Sequence, residues 1–355
     1  MGVLIGDALG LGCHWVYDLD TLKSEWGWVS DYTTPRKGRY HEGCKAGDVS
    51  QTGQVVEQLL RSVAGKGAYD QADFTARLDA LLATLDGTAY GAQGGRYTDV
   101  AMRDVWRGRV REGKPWGQVA SEGSDTSEAA QRAVVLAARY AGSLGQVGTT
   151  SMACAALTHA DHVVAGQSMS LAILVAALIQ GEALDARLST RLREMAKTGE
   201  LPITHAVLAE ERATTHHVPS DPTPTMPFPD ALLQMGWVTE AARDPSITIP
   251  PTKVGLVYGM ACSIHFLLPA AYYLAAHYEK EATPAQHFEG AVLAAINAGG
   301  NNMARAALTG ALVGAMVGAS NIPQRFIDGL TNGRELLALA QQVATQAFPE
   351  DGSSA

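Results

Sequence analysis

The chain has 355 residues, 46 % hydrophobic and only 6 % aromatic, enough apolar material for one large core or two ordinary ones. Acidic residues outnumber Lys and Arg 36 to 27, a net charge of −9, which argues against wrapping a nucleic acid, because neutralising phosphates needs clustered cations. Cys13, Cys44, Cys154 and Cys262 lie far apart with no CxxC spacing, so neither a zinc knuckle nor a disulfide scaffold is expected; with no basic-then-apolar leader, lone thiols point to a reducing, cytoplasmic setting and a small partner.

In chain order, residues 2–10 read as the middle of a buried helix whose first turn is cut short. His14-Trp15-Val16-Tyr17-Asp18 follows, and Asp18 is placed to cap the next helix. Val55, Val56, Leu59, Leu60 and Val63 recur on one helical face, as do Phe74, Leu78, Leu81, Leu82 and Leu85. Residues 129–140, 171–179 and 308–317 are rich in good helix formers. Gly65, Gly67, Gly142, Gly145, Gly181, Gly329 and Gly333 suit helix ends. Alternation of the β type is nearly absent, residues 246–249 being the best short candidate. Residues 216–229 carry five prolines and cannot continue a helix; a long surface loop is expected there, and a disordered tail over residues 349–355. Residues 254–276 hold no Asp, Glu, Lys or Arg and are long enough to span a bilayer. Cys262, Ser263, His265 and Pro269 within them favour a buried helix. The expectation is an all-α fold, one domain over residues 1–348, with no membrane span.

Four segments carry a family resemblance: Gly6-Asp7-Ala8-Leu9-Gly10; Gly47-Asp48-Val49-Ser50-Gln51-Thr52-Gly53-Gln54; Leu157-Thr158-His159-Ala160-Asp161-His162; and the run from Gly299 to Arg305, with Gly310-Ala311-Leu312-Val313-Gly314-Ala315 and Ile322-Pro323 behind it. In this order and spacing the chain resembles the ADP-ribosylglycohydrolase family, which includes the dinitrogenase-reductase-activating glycohydrolases, from Gly6 to about Leu330. The resemblance implies a single orthogonal helical domain with a central cleft. In that cleft two magnesium or manganese ions are held by a Thr-Asp-Asp triplet at one helix start and an Asp-x-Asp-Thr segment at another. Such a pair positions water and stabilises charge at the ribose C1 as its bond to a protein side chain breaks. Here the triplet falls on Ser50-Gln51-Thr52, and the second segment on Asn301-Asn302-Met303-Ala304. Amide oxygens lack the charge that a hard cation needs, and a thioether is a poor magnesium ligand. The expectation is therefore no metal pair and no cofactor, with one weakly held magnesium ion at most. Tyr97-Thr98-Asp99 and Ser263-Ile264-His265 ahead of Leu267-Leu268-Pro269, together with His14-Trp15, are similar to the divergent branch that contains the J-type crystallins.

Asp7, Asp48 and His159 are the catalytic candidates, as groups that would have to position water. Asp7 could instead pair with Arg305 or backbone, Asp48 could cap the helix beginning near Gly53, and Thr158, His159, Asp161 and His162 could merely satisfy a helix–helix corner. The ligand-contact candidates are Ser50, Gln51, Thr52, Gly299, Gly300, Asn301, Asn302, Arg305, His14, Trp15 and Asp125. Asn301 and Asn302 would cradle a phosphate or ribose hydroxyls at a helix start, Arg305 would meet a phosphate, and Trp15 would stack. Ser124-Asp125-Thr126-Ser127-Glu128 reads as a helix cap with a first-turn acid. Three functions follow: hydrolysis of an ADP-ribose or related conjugate without the metal pair, non-catalytic binding of an ADP-ribose-like ligand or ADP-ribosylated protein, and a crystallin-like structural role. The oligomeric state is left open.

Overall fold

The structure, a computed structural model, describes residues 1–202 and 230–348. Its helices are α1 (Gly2–Leu11), α2 (Leu19–Trp26), α3 (Gln51–Lys66), α4 (Gln71–Leu82), α5 (Val100–Trp106), α6 (Glu128–Arg139), α7 (Leu144–Ala155) and α8 (His162–Ile179). Then come α9 (Ala186–Lys197), α10 (Asp230–Arg243), α11 (Val254–Tyr258), α12 (Ile264–His277), α13 (Pro284–Asn297), α14 (Asn302–Val317), α15 (Gln324–Gly329) and α16 (Gly333–Ala347). Among the described residues there is no strand, and β-type pairing is confined to isolated bridges; residues 246–249 are not a strand. One apolar cluster runs from Val3 to Val343.

The seam between α1 and α14 organises the molecule. Gly2, Gly6 and Gly10 recur every fourth residue and so share one helical face. A Cβ at Gly2 would stand 1.9 Å from the Gly310 carbonyl oxygen, one at Gly6 2.2 Å from that of Ala306, and one at Gly10 2.5 Å from Met303 Cα. No side chain fits there, and the two backbones touch. This contact fixes α1, from which Asp7 reaches the start of α3 at Ser50. On its other sides α14 packs against α12 and α13, while α6 and α7 pack on α8.

Several expectations are corrected in detail. Residues 254–276 form two helices, because the chain leaves α11 at Gly259 with φ of 120° and re-enters helix only at Ile264; Pro269 sits inside α12. Among the described residues the one helix long and apolar enough to cross a membrane is α8, and 83 % of it is buried against the rest of the fold. Gly67 (φ 71°) closes α3 and Gly181 (φ 90°) follows α8, while Gly65 sits in the last turn of α3 and Gly145 in the first turn of α7. A glycine alone does not say whether it stops a helix or opens one. The expected loop over 216–229 and the tail over 349–355 lie outside the described residues.

Candidate functional site

Four helix starts converge on one narrow cleft of about 50 Å³. Ser50 and Thr52 come from α3, Asp99 and Val100 from α5, Thr126 and Glu128 from α6, and Asn301 and Met303 from α14. Three of the four starts are built by a capping side chain of the expected chemical type, and at the fourth, that of α6, Ser127 makes no such bond. Ser50 Oγ accepts from Gly53 N at 3.1 Å, Asp99 Oδ1 from Met102 N at 2.7 Å, and Asn301 Oδ1 from Ala304 N at 3.2 Å. The loops between are held by the bridges Thr126–Ser263 and Val16–Gly300. The wall is completed by His14, Trp15, His41, Tyr97 and Cys262.

Two carboxyl groups face this cleft, and neither was singled out as catalytic from the sequence. Asp99 is buried, and its carboxyl is pushed up to about 7, first by burial and then by the nearby Glu128 charge. Glu128 goes the other way. Burial alone would raise it, but His159 and the Thr126 hydroxyl, which donates to Oε2, outweigh that and hold it below the usual glutamate value. His159 Nε2 stands 3.4 Å from Glu128 Oε2, an ion-pair separation more than a well-made hydrogen bond. Its Nδ1 lies 2.8 Å from Thr158 Oγ1, which also accepts from buried Arg132 at 2.6 Å. Near neutral pH Asp99 is therefore partly protonated while Glu128 is held towards its ionised form.

The remaining candidates fall into two groups. Ser50, Thr52, Asn301, His14 and Trp15 line the cleft. Asp7 sits behind it, 1 % exposed, accepting from Ser50 N at 2.7 Å and Ser50 Oγ at 2.6 Å. It pairs with Ser50 and not with Arg305. Its carboxyl is raised to about 6 by burial, against the two Ser50 bonds. Gly53 is needed for this approach, since a Cβ there would stand 2.6 Å from Asp7 Oδ2.

Arg305 is fully buried and donates to the carbonyls of Ala295 and Gly299, so it meets neither a phosphate nor Asp7. Asn302 is turned inward, with Oδ1 3.0 Å from His14 Nδ1 and Nδ2 donating to Cys13 Sγ at 3.1 Å. Gly299 and Gly300 take positive φ to fit against Val16 and Met260, and Gly300 N donates to Val16 O. They shape the turn and do not present N–H groups to a ligand. Asp48 neither caps α3 nor reaches the cleft. Its oxygens accept from Lys45 N at 2.9 Å and Thr331 Oγ1 at 2.9 Å, latching a loop. Asp125 is exposed outside the cleft while its neighbours Thr126 and Glu128 turn inward. Gln51 is buried with neither amide atom partnered among the described residues. Asp18 does cap α2, accepting from Thr21 N at 2.6 Å.

What is defined thus far is an all-helical protein whose helix starts enclose a paired-carboxyl cleft. The family profile described as ADP-ribosylglycohydrolase matches residues 1–352, and the chain belongs to that family. Among solved structures it is similar to an "ADP-ribosylglycohydrolase-related protein complex", with a TM-score of 0.58 at 16 % identity over 98 % of this chain and 95 % of that one. That likeness concerns the fold alone. No curated protein matches the chain.

The family implies two divalent cations, and the donor set at the two helix starts does not suit them. Ser50 Oγ is occupied by Asp7 and Gly53, and Asn301 Oδ1 by Ala304 N; Met303 offers sulfur, and neither segment holds a carboxylate. Among the described residues no three His, Cys, Asp or Glu side chains converge to hold a metal ion.

Proposed function

We propose that this chain hydrolyses an N- or O-glycosidic bond of an ADP-ribose or related conjugate, with a carboxyl pair doing the work that the family assigns to two metal ions. The observation that carries the reading is the Asp99–Glu128 pair, two acids in one cleft with opposed protonation. Asp99, which holds a proton on the oxygen not capping α5, protonates the leaving atom as its bond to the sugar C1 breaks. Glu128 takes a proton from the water whose oxygen bonds to C1, and solvent then resets both groups. His159 and Thr126 keep Glu128 ionised and in place; His159 is thus a positioning residue. Thr52 and Asn301 flank the pair. The neutral donor set at Ser50-Gln51-Thr52 and Asn301-Asn302-Met303 supports a reaction independent of the metal pair. The cytoplasm and a small-molecule or ADP-ribosyl-protein partner complete the proposal.

The test is turnover of a panel of ribosyl conjugates with and without EDTA. Activity should be unchanged by the chelator and fall on the order of 10²–10⁴-fold in Asp99→Asn or Glu128→Gln. Full activity in both variants would sink the assignment. Tight magnesium binding by calorimetry would sink metal independence. The small size of the cleft supports a second reading, the crystallin-like structural role, since about 50 Å³ is room for only a water or two. A glycoside that raises the melting temperature without being cleaved would make the chain a binder. Absence of both effects would leave the crystallin-like role.

A further inference from the structure

Taking the hydrolase reading as given, we propose that the glycoside this cleft accepts is phosphate-free, a nucleoside or plain glycoside, and not a pyrophosphate-bearing ADP-ribosyl group. The cleft carries two acids, and among its described lining residues there is no Lys or Arg. The neighbouring guanidinium groups are engaged elsewhere. Arg305 serves the Ala295 and Gly299 carbonyls, and Arg132 serves Cys154 O and Thr158. Arg103 donates to Thr98 O at 2.8 Å and lies over the Tyr97 ring. Arg96 donates to Val49 O at 2.8 Å and lies 3.8 Å from Asp48.

Helix starts ordinarily favour anions. Here the chain fills those places itself. Ser50, Asp99 and Asn301 cap three of the four starts, and the Glu128 carboxylate sits in the first turn of the other. A pyrophosphate would enter beside the Glu128 carboxylate with no cation lining the cleft, and like charges at close range oppose binding.

The features that could hold a ligand are neutral. Although aromatics are 6 % of the chain, Trp15, Tyr40, Tyr90 and Tyr97 gather at the cleft mouth. Their ring centroids lie 5.2 Å (Trp15–Tyr40), 5.6 Å (Tyr40–Tyr97) and 5.9 Å (Tyr90–Tyr97) apart. Tyr90 is 57 % exposed. Tyr40 and Tyr90 also line an adjoining open basin of about 690 Å³, where Arg39 is paired with Glu25 at 2.6 Å. Such rings offer flat apolar faces to a sugar or a base. Inside the cleft, His41 supplies one uncharged donor. Its Nδ1 accepts from Tyr97 N at 3.2 Å, which leaves the proton on Nε2. That atom is buried without a partner among the described residues, and His41 holds φ of 64°, an uncommon backbone state for a residue with a Cβ. Burial and the neighbouring His14 keep His41 well below the ordinary histidine value and therefore neutral. A neutral N–H suits a sugar hydroxyl or ring oxygen.

Calorimetry on the full chain carrying Asp99→Asn, in EDTA, compares 4-nitrophenyl β-D-ribofuranoside, adenosine and ADP-ribose. At least one of the two uncharged compounds should bind about tenfold or more tightly than ADP-ribose. Tyr90→Ala, at an exposed ring, should weaken that compound several-fold without altering the melting temperature. Val100→Lys, placing a cation on the cleft wall, should improve ADP-ribose several-fold at low salt. Tighter binding of ADP-ribose, no binding of either uncharged compound, or no gain with Val100→Lys overturns the proposal. Failure of the hydrolase reading looks different: the unmodified chain then binds the uncharged compound and cleaves none of the panel. Faster cleavage of ADP-ribosyl compounds than of phosphate-free ones overturns this inference and leaves hydrolysis standing.

Discussion

Replacing Asp7 with Asn should change how stability responds to pH, in a direction opposite to that of carboxylates held by a cation or by hydrogen bonds. Asp7 is 1 % exposed, and its carboxyl is raised from 3.8 to about 6 because burial outweighs its two bonds from Ser50. The native state therefore keeps a proton that the unfolded chain has already released. Wherever the native state binds more protons, stability falls as pH rises. The loss begins near the unfolded value of 3.8, is complete above about 6, and totals about 3 kcal/mol at 1.36 kcal/mol per pH unit. Asn cannot ionise, yet its amide can accept from Ser50 N and donate to Ser50 Oγ, so the cap of α3 survives. Asp99, raised to about 7, titrates alike in parent and variant and cancels; Glu57, also raised to about 7, is pushed up in part by the Asp7 charge and shifts down in the variant, which adds to the variant's gain. Urea unfolding followed by circular dichroism should show the variant gaining about 2 kcal/mol on the parent between about pH 4.5 and 7. Parallel curves would mean that the Asp7 carboxylate pays no desolvation cost. A gap that widens in the parent's favour would mean that a cation stabilises it.

Other substitutions address the remaining pieces. Gly6→Ala drives a methyl to 2.2 Å from the Ala306 carbonyl and should cost roughly 1–3 kcal/mol or more in urea unfolding, since backbone lies on both sides. Gly65→Ala, where nothing lies within 4 Å, should instead stabilise α3 by about 0.5–1 kcal/mol. Arg305→Met strips donors from the Ala295 and Gly299 carbonyls and should cost about 1–3 kcal/mol for each unsatisfied group. Ligand affinity of the folded variant should be unchanged; a large affinity loss at unaltered stability would restore Arg305 to the ligand site. If Asp99 is the general acid, turnover is intact below its raised value and declines as pH rises through about 7. A pH–rate profile without that alkaline limb would remove it from the role.

The helices and the convergence of the motif segments were legible because each rests on local signals: periodicity for α3 and α6, cap chemistry for Asp18 and Asn301, and glycine pairs at Gly299-Gly300. The acid pair was not. Asp99 and Glu128 each read as ordinary helix-start acids, and only the convergence of the α5 and α6 starts on one cleft beside α3 shows that they meet. Asp125 carried the same local signature and points outward, a difference of side-chain direction that no spacing encodes. His41 left no signal at all, because its placement depends on a positive φ in an irregular loop. Arg305 misled for a physical reason: beside Asn301 and Asn302 it suggests a phosphate site, yet one helical turn on it faces the core. The glycines of α1 could have been read further, since a repeat of four on one face announces close helix contact before the partner helix is known.

The glycine seam also bears on how the chain reaches its native state. Helix α1 is buried along its whole length, and its partner surface, α14, begins only at Asn302. At about 5–20 residues per second of synthesis, the early helix waits roughly 15–60 s for the segment that shelters it. During that interval an apolar decamer without its mate is a natural client for chaperones, and a ribosome stalled anywhere before α14 releases a product that cannot hide it. The price of so close a backbone contact is thus a long exposure in time, set by where the two halves of the seam lie along the gene.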